Sequence, residues 1–222
     1  MNSVAPPLMT SVKGQVWLDN ESFELICTRP ENFQFIAGQH VALTHQGKER
    51  DYTILSAPDA PELRFLIKRV AGGALSNTLA ELTPGAQLLM SKAKGYLTYR
   101  PTDRPVYFVA TGVGIAPFVA MAAAGVTGFT LIHGTREASQ LFYRRELTLA
   151  ARRYIPCLSG QIKQGTALLD LHRGYVTDYI DRHLKPGLYD FYLCGARAMI
   201  HDMTHILDQH YPDTRIYSEA YG

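Results

Sequence analysis

A change of pattern near residue 100 constrains the fold more than any other feature of this chain. Before it, short β-type runs follow one another at close spacing, separated by turn residues such as those at 29–32 and 83–85. After it, continuous apolar runs alternate with helical stretches. The stretch Arg100–Pro105 between the halves is polar and contains two prolines, so it continues neither a strand nor a helix. We therefore expect two domains, residues 1–100 and 101–222.

The first half has the pattern of a closed antiparallel β-barrel. Its expected strands are 12–18, 23–28, 40–44, 52–55, 63–70, 87–91 and 96–99, with one helix at 76–82. In the second half the expected strands are 106–110, 129–133, 154–158 and 190–194, and the expected helices are 117–124, 139–153, 175–183 and 198–211. Apolar strands that alternate with helices predict a doubly wound parallel α/β sheet, a frame that binds nucleotides at the carboxyl ends of its strands.

The composition excludes several classes of protein. The 22 basic and 20 acidic side chains are too evenly balanced to indicate nucleic-acid binding. The three cysteines lie far apart without a C-x-x-C pair, and His201 and His205 have no evident third ligand, so we expect no metal site. No run is long and apolar enough to span a membrane, and no signal peptide is recognisable. We expect a cytoplasmic protein that is a monomer and does not bind a membrane.

A glycine-containing turn follows the first apolar run of the second half. In Thr111-Gly112-Val113-Gly114-Ile115-Ala116-Pro117 the two glycines would let a pyrophosphate approach the backbone, and the following helix would offer free N–H groups. Proline suits a first helical turn because an N–H group there has no acceptor within the helix, so the lack of an N–H in proline loses no hydrogen bond. By itself the turn also fits a tight strand-to-helix connection without a ligand.

Four motifs occur in a characteristic order along the chain: Arg50-Asp51-Tyr52-Thr53, Gly72-Gly73-Ala74-Leu75-Ser76, the Gly112–Pro117 turn, and Cys194-Gly195. In this order the chain resembles the ferredoxin–NADP reductase family over essentially its whole length, to the terminal Ser218–Gly222. The step Ala93–Tyr96 is similar to the compact bacterial members. The resemblance implies an FAD-dependent oxidoreductase that transfers electrons between NAD(P)H and a one-electron protein carrier.

The resemblance also implies residues for the flavin. Arg50 would pair with the FAD pyrophosphate, Tyr52 would stack on the flavin ring, and the Thr53 hydroxyl would lie beside the nitrogen that accepts hydride. Further expected FAD contacts are Ser56, Ile67, Gly72, Gly73, Leu75, Ser76 and Tyr221. Tyr221 would cover the flavin until nicotinamide replaces it. Without the other motifs, Tyr52 and Thr53 also fit ordinary strand residues, Arg50 a solvated edge charge, and the C-terminal segment a frayed tail.

For the nicotinamide nucleotide, the resemblance implies contacts from Thr111, Gly112, Gly114, Pro117, Arg136, Cys194 and Gly195. The expected catalytic residues are Thr53, Cys194 and Glu219. Arg136 could hold a 2′-phosphate, whereas the neighbouring Glu137 could bind a free ribose diol. Two arginines typical of NADP-dependent bacterial relatives are replaced by Gly160 and Tyr175, so the choice between NADP(H) and NAD(H) stays open, with a slight preference for NADPH.

The expected partner is an acidic ferredoxin or flavodoxin, or an oxygenase component. It could be attracted by Lys92, Lys94 and the arginines 144, 145, 152, 153 and 173, although charges on a helix are usually just its solvated face. The alternatives are a free-flavin or ferric reductase, and a non-catalytic flavin-binding subunit of a larger complex. A conventional hydroxy-acid dehydrogenase would need a G-x-G-x-x-G turn and a substrate domain, and it would lack the Arg-x-Tyr-Thr motif.

Overall fold

The computed structural model describes residues 8–73, 75–162, 165–166 and 168–221. The chain divides after Thr98 into two compact units. Ala74, in the second flavin motif, lies outside the described residues. Within those residues, no helix combines the length and the apolar character that crossing a bilayer requires.

The first unit is an antiparallel barrel, as the sequence predicts. Its strands are β1 (Leu8–Trp17), β2 (Ser22–Thr28), β3 (His40–His45), β4 (Lys48–Thr53), β5 (Glu62–Lys68) and β6 (Gln87–Met90), with helix α1 (Ser76–Glu81) before β6. The order across the sheet is β4-β3-β6-β1-β2-β5. The two outer strands approach each other just past β4, where Ile54 forms a bridge with Phe65 and Leu55 N–H donates to Arg64 O at 2.8 Å. This contact joins the two edges of the sheet.

The expected strand at 96–99 does not form. Pairing ends at the isolated bridge between His40 and Lys94, and Thr98 N–H then bonds to Tyr96 O at 2.8 Å, which is a local turn. A strand requires a neighbour, and no strand among the described residues pairs with this segment. The β-type composition of 96–99 is explained instead by packing, since Leu97 is buried.

The second unit is a six-stranded parallel sheet with helices on both faces, again as predicted. It contains β7 (Val106–Thr111), α2 (Ala116–Ala123), β8 (Thr130–Thr135), α3 (Arg144–Ala150), β9 (Arg153–Leu158), β10 (His172–Arg173), α4 (Val176–His183), β11 (Asp190–Ala196), α5 (Arg197–His210) and β12 (Arg215–Tyr221). One face packs against α4 and α5 through residues such as Phe191 and Met203. On the other face Phe108 stacks with Phe118 of α2 at 4.6 Å.

One expectation for this unit is wrong. The helix expected at 139–153 is a short 3₁₀ turn at 138–140 followed by α3, because Tyr143 adopts a left-handed φ of 57° and Arg153 already pairs with β8. The alternative interpretation of the C-terminal segment, a frayed tail, does not hold for residues 215–221. These residues form β12, which pairs in parallel with β11 over its whole length.

The strand order β10-β9-β8-β7-β11-β12 contains a reversal between β7 and β11. From β7 the chain builds outward to β10 and then returns to place β11 on the other side of β7. In open α/β sheets, ligands bind outside the carboxyl ends of the strands at such a switch point. The topology therefore predicts a ligand-binding site at the residues just after β7 and β11.

Candidate functional site

The turns after β7 and β11 interlock at the switch point. A Cβ added to Gly114 would lie 2.6 Å from the Cys194 carbonyl carbon and 2.6 Å from Gly195 Cα. A Cβ added to Gly195, whose φ is +137°, would lie 2.8 Å from Thr111 O and would also collide with the Thr111 hydroxyl. That hydroxyl accepts a hydrogen bond from Ala196 N–H at 3.1 Å. Both glycines are required because the two backbones approach too closely for any side chain.

Gly112 has a different role from Gly114. It is exposed, its φ of +56° favours glycine, and nothing lies within 4 Å of the position that a Cβ would take. Its backbone is therefore open to a ligand. Pro117 lies in the first turn of α2. An N–H group in this turn has no acceptor within the helix, so proline breaks no hydrogen bond there. The open glycine backbone suits a pyrophosphate. In the first turn of α2, by contrast, Ala116 N–H already donates to Val113 O, and Ala116 and Phe118 are buried.

Cys194 lies beside two residues of the C-terminal strand. In the register of β11 with β12, Cys194 pairs with Glu219 and Ala196 with Tyr221, and the Tyr221 side chain hydrogen-bonds the thiol. Cys194 is completely buried. Burial raises the pKa of its thiol well above the usual range, an effect opposed by the Tyr221 hydrogen bond and reinforced by the Glu219 carboxylate. The thiol is therefore neutral at physiological pH and is not an activated nucleophile.

Arg136 lies at the end of β8, where its side chain is exposed. Gly160, just beyond β9, packs directly on it: Gly160 N–H donates to Arg136 O at 3.0 Å, and a Cβ on Gly160 would lie 2.9 Å from Arg136 Cγ. An arginine at position 160 would therefore displace Arg136. This contact explains in physical terms why an expected arginine is absent there, and the sequence carries no local signal for it.

A small pocket adjoins Arg136 on this edge of the sheet. It is lined by residues 137–139 after β8 and by Leu158, Gln161, Ile162 and Thr166 after β9. Glu137 accepts a bond from Gln140 N–H, and the Gln140 side chain in turn accepts from Glu137 N–H at 3.2 Å. The carboxylate that was expected to compete for a ribose diol thus caps its own 3₁₀ turn.

In the first unit, the Arg-x-Tyr-Thr motif lies at the end of β4. Arg50 is exposed, and its guanidinium donates to the neighbouring Glu49 O at 2.8 Å. Tyr52 is half-buried against the barrel core, and this burial raises the pKa of its hydroxyl to about 12, with Arg50 acting in the opposite direction. Thr53 is buried. Tyr52 thus serves partly as a core residue while its remaining ring surface stays accessible.

The loop between β5 and α1 carries the second flavin motif. Gly72 is exposed at a φ of +70° with nothing near its Cβ position, whereas a Cβ on Gly73 would lie 2.7 Å from Ser76 Oγ. Ser76 Oγ accepts a long bond from Val70 N–H at 3.4 Å. Ser56 Oγ accepts from Arg64 N–H at 3.2 Å. The side chains of Ile67 and Leu75 belong to the barrel core, so only their backbones are available to a ligand.

The structure thus brings most predicted residues into two groups. The first unit holds Arg50, Tyr52, Thr53, Ser56, Ile67, Gly72, Gly73, Leu75 and Ser76. The second unit gathers Thr111, Gly112, Gly114, Pro117, Cys194, Gly195, Glu219 and Tyr221 around the switch point, with Arg136 farther along the sheet edge. No group of three His, Cys, Asp or Glu side chains among the described residues is arranged to hold a metal ion.

Comparison with known proteins matches both units. The family model "Oxidoreductase FAD-binding domain" covers residues 9–99, and "Oxidoreductase NAD-binding domain" covers residues 108–205. The chain is 37% identical to ferredoxin–NADP reductase B of Sorangium cellulosum over 191 residues, which cover 76% of this chain and 77% of that protein. It is 28% identical to the anthranilate 1,2-dioxygenase electron transfer component of Acinetobacter baylyi over 86% of this chain and 59% of the relative. The chain therefore spans little more than half the length of that relative.

Two solved structures share the fold. A cytochrome P450 reductase from Amycolatopsis superposes with a TM-score of 0.83 at 23% identity, covering 96% of this chain and 69% of that one. A ferredoxin NADP⁺ reductase from Neisseria gonorrhoeae with bound FAD and NADP superposes with a TM-score of 0.82 at 20% identity, covering 97% and 99%.

Proposed function

Because the chain belongs to the ferredoxin–NADP reductase family, we propose that it transfers electrons between NAD(P)H and a one-electron protein carrier through FAD. The observation that carries this proposal is the interlocked pair of glycine turns at the switch point, with Cys194, Glu219 and Tyr221 beside them. The chemistry that bound FAD supplies is the exchange of one hydride for two single-electron transfers. The residues of the chain bind and orient the cofactors and exclude water from them.

The residues of both units fit their cofactors. In the second unit, Gly112 offers open backbone to the pyrophosphate of the nicotinamide nucleotide. In the first unit, Arg50 offers an exposed planar guanidinium to the FAD pyrophosphate, and Gly72 offers an open backbone. Tyr52 would contribute a ring face to the flavin and Thr53 a hydroxyl.

Cys194 would act by position rather than by covalent chemistry. Its thiol is small, neutral and held by its neighbours, so it would form a fixed wall against which a nicotinamide ring is oriented. Glu219, its partner in the adjacent strand, is the ionisable side chain paired with it in register and would place a polar group beside the nicotinamide. In this assignment the cofactors carry out the redox chemistry, and the protein holds the reacting groups in place.

The partner that we propose is a one-electron carrier, either an acidic ferredoxin or flavodoxin or an oxygenase component. The names of several relatives favour such a carrier, since they are electron-transfer components of dioxygenases or ferredoxin reductases. The basic residues expected to attract it are not equally available. Lys94 pairs with Asp51 at 2.8 Å and Arg153 with Asp170 at 2.8 Å, whereas Lys92, Arg144 and Arg145 are exposed. We assign the electrostatic attraction to the latter set, with the protein acting as a monomer.

The test is purification followed by an absorbance spectrum and anaerobic titrations with NADPH and with NADH. We expect a yellow protein whose flavin is bleached by at least one nucleotide and reoxidised by ferredoxin, faster at low salt. Arg50→Ala should weaken FAD binding about tenfold or more, while Lys48→Ala on the same strand should leave it unchanged. A colourless protein that neither takes up FAD nor oxidises either nucleotide would refute the proposal. Turnover of added free flavin with no tightly held FAD would favour a free-flavin reductase instead.

A further inference from the structure

The C-terminal strand β12 carries Glu219 and Tyr221, yet none of its residues is fully buried. It is also an edge strand, paired only with β11 among the described strands. Edge strands with few core anchors open easily. Ile216 packs against the core of the second unit from the opposite face of β12, so other contacts must hold the face beside Cys194 in register.

Alternate residues of a strand share one face, which groups Arg215, Tyr217, Glu219 and Tyr221. In parallel register these residues lie beside Asp190, Tyr192, Cys194 and Ala196 of β11. The face therefore presents a series of pairs along its length. An ion pair lies at the amino end, a ring stack lies in the middle, and the thiol with Glu219 and Tyr221 lies at the carboxyl end.

The middle pair makes the strongest set of contacts. Tyr217 stacks on the fully buried Tyr192 with ring centroids 4.7 Å apart and an interplanar angle of 26°. Arg100 Cζ lies 4.8 Å from the Tyr217 centroid, on the ring, and Arg100 N–H donates to Tyr192 Oη at 3.0 Å. Tyr217 is therefore in contact with both a buried ring and a guanidinium from the segment that enters the second unit.

The amino-end pair is electrostatic. Asp190 is 1% exposed, and neither carboxylate oxygen has a hydrogen-bond partner in the described structure. Arg215 Nη1 lies 3.8 Å from one oxygen and Arg104 Nη1 lies 3.9 Å from the other. Arg104 also donates to Asp213 O at 2.7 Å, just before β12 begins. A buried carboxylate depends strongly on such cations, so it ties the start of β12 to β11.

We propose that Tyr217, with Arg100 and the Asp190–Arg215 pair, forms a positioning ladder that fixes the register of β12 and so holds Glu219 and Tyr221 against Cys194. These residues act through the strand and not on the cofactor. The catalytic meaning of the ladder rests on the proposed function, but the contact that it maintains is a property of the second unit alone. A slip of two residues along the strand would keep the faces but bring Tyr217 to Cys194 in place of Glu219.

Cys194 provides a readout that does not depend on activity. It is completely buried, with Glu219 of β12 beside it in register and Tyr221 bonded to its thiol, and Cys157 is likewise buried elsewhere in the same unit. Native-state alkylation of the whole protein with N-ethylmaleimide, quantified for each cysteine by peptide mass spectrometry, measures local opening at each site. The ratio of the Cys194 rate to the Cys157 rate separates opening of β12 from loss of stability of the whole unit.

We expect Tyr217→Leu to raise this ratio about tenfold, the effect of losing a ring stack and a cation–π contact together. Tyr217→Phe keeps both contacts and should restore the wild-type ratio. The matched control is Tyr107→Leu, which removes a stack of 4.9 Å with Phe191 on the other face of the sheet and should leave the ratio unchanged. If Tyr217→Leu does not fold, Arg100→Leu removes only the cation and should raise the ratio about threefold.

An unchanged ratio in Tyr217→Leu, or in Arg100→Leu where that variant replaces it, overturns the ladder. An equal rise in Tyr107→Leu also overturns it. Loss of wild-type NAD(P)H oxidation with an intact labelling pattern would instead refute the proposed function and leave the ladder standing. With both correct, Tyr217→Leu should lower kcat, whereas Tyr217→Phe should retain it.

Discussion

His133 makes the stability of the second unit depend on pH. It lies in β8 with no exposed surface, its Nδ1 is 2.8 Å from Tyr154 Oη, and its Nε2 has no partner in the described structure. Burial lowers its pKa from 6.5 to about 3, because a charged imidazole would be desolvated there. Between these two values the unfolded chain binds a proton that the folded chain does not bind.

The sign and the size follow from linkage. The folded pKa is lower than the unfolded one, so stability is full above pH 6.5 and falls as the pH is lowered from 6.5 towards 3. Between pH 7.5 and pH 5.0 this one histidine should reduce the free energy of unfolding by about 2 kcal/mol. A loss of this size is a large fraction of the stability of a typical domain.

The assay is urea unfolding at the two pH values, followed by far-ultraviolet circular dichroism, on the wild type, His133→Gln and His201→Gln. Glutamine can still bond Tyr154 but does not titrate, so His133→Gln should lose about 2 kcal/mol less stability on acidification than the wild type. His201 is exposed, and its replacement should leave the pH dependence intact. Fluorescence of Trp17, the only tryptophan, records the first unit separately. Equal pH dependence in wild type and His133→Gln would refute the reasoning.

Two further predictions concern the nucleotide site. Gly114→Ala should force apart the turns after β7 and β11, since its Cβ would lie 2.6 Å from Gly195 Cα; affinity for NAD(P)H should fall more than tenfold by isothermal titration calorimetry. Gly14→Ala, with nothing within 4 Å of its Cβ, is the control, and near-normal binding by Gly114→Ala would contradict the role of the interlock. If Arg136 holds a 2′-phosphate, Arg136→Ala should raise KM for NADPH about tenfold and leave KM for NADH unchanged. Equal changes for both nucleotides would exclude that role.

The local sequence determined the class of each half and the identity of the turns. Short alternating runs specify an antiparallel barrel because half of each strand faces a core, and apolar runs specify strands buried on both faces. Gly112 and Gly114 could be selected as a phosphate turn from their position after a buried strand. The helix at 139–153 was predicted too long because the left-handed Tyr143 leaves no signature in composition. The strand at 96–99 was wrong because β-type residues do not reveal whether a partner strand is present.

Only the tertiary structure decided which turns meet. Thr111 and Gly195 are 84 positions apart, and their contact exists because the chain reverses direction across the sheet at β7 and β11. At position 160 the sequence shows only the lack of an arginine, whereas the structure shows Gly160 packed against Arg136. The terminal residues matched a motif, but their place in a strand beside Cys194 depends on register with β11. Side-chain type is a local property and can be read directly, whereas the contacts that constrain these residues join distant segments and arise only when the chain closes on itself.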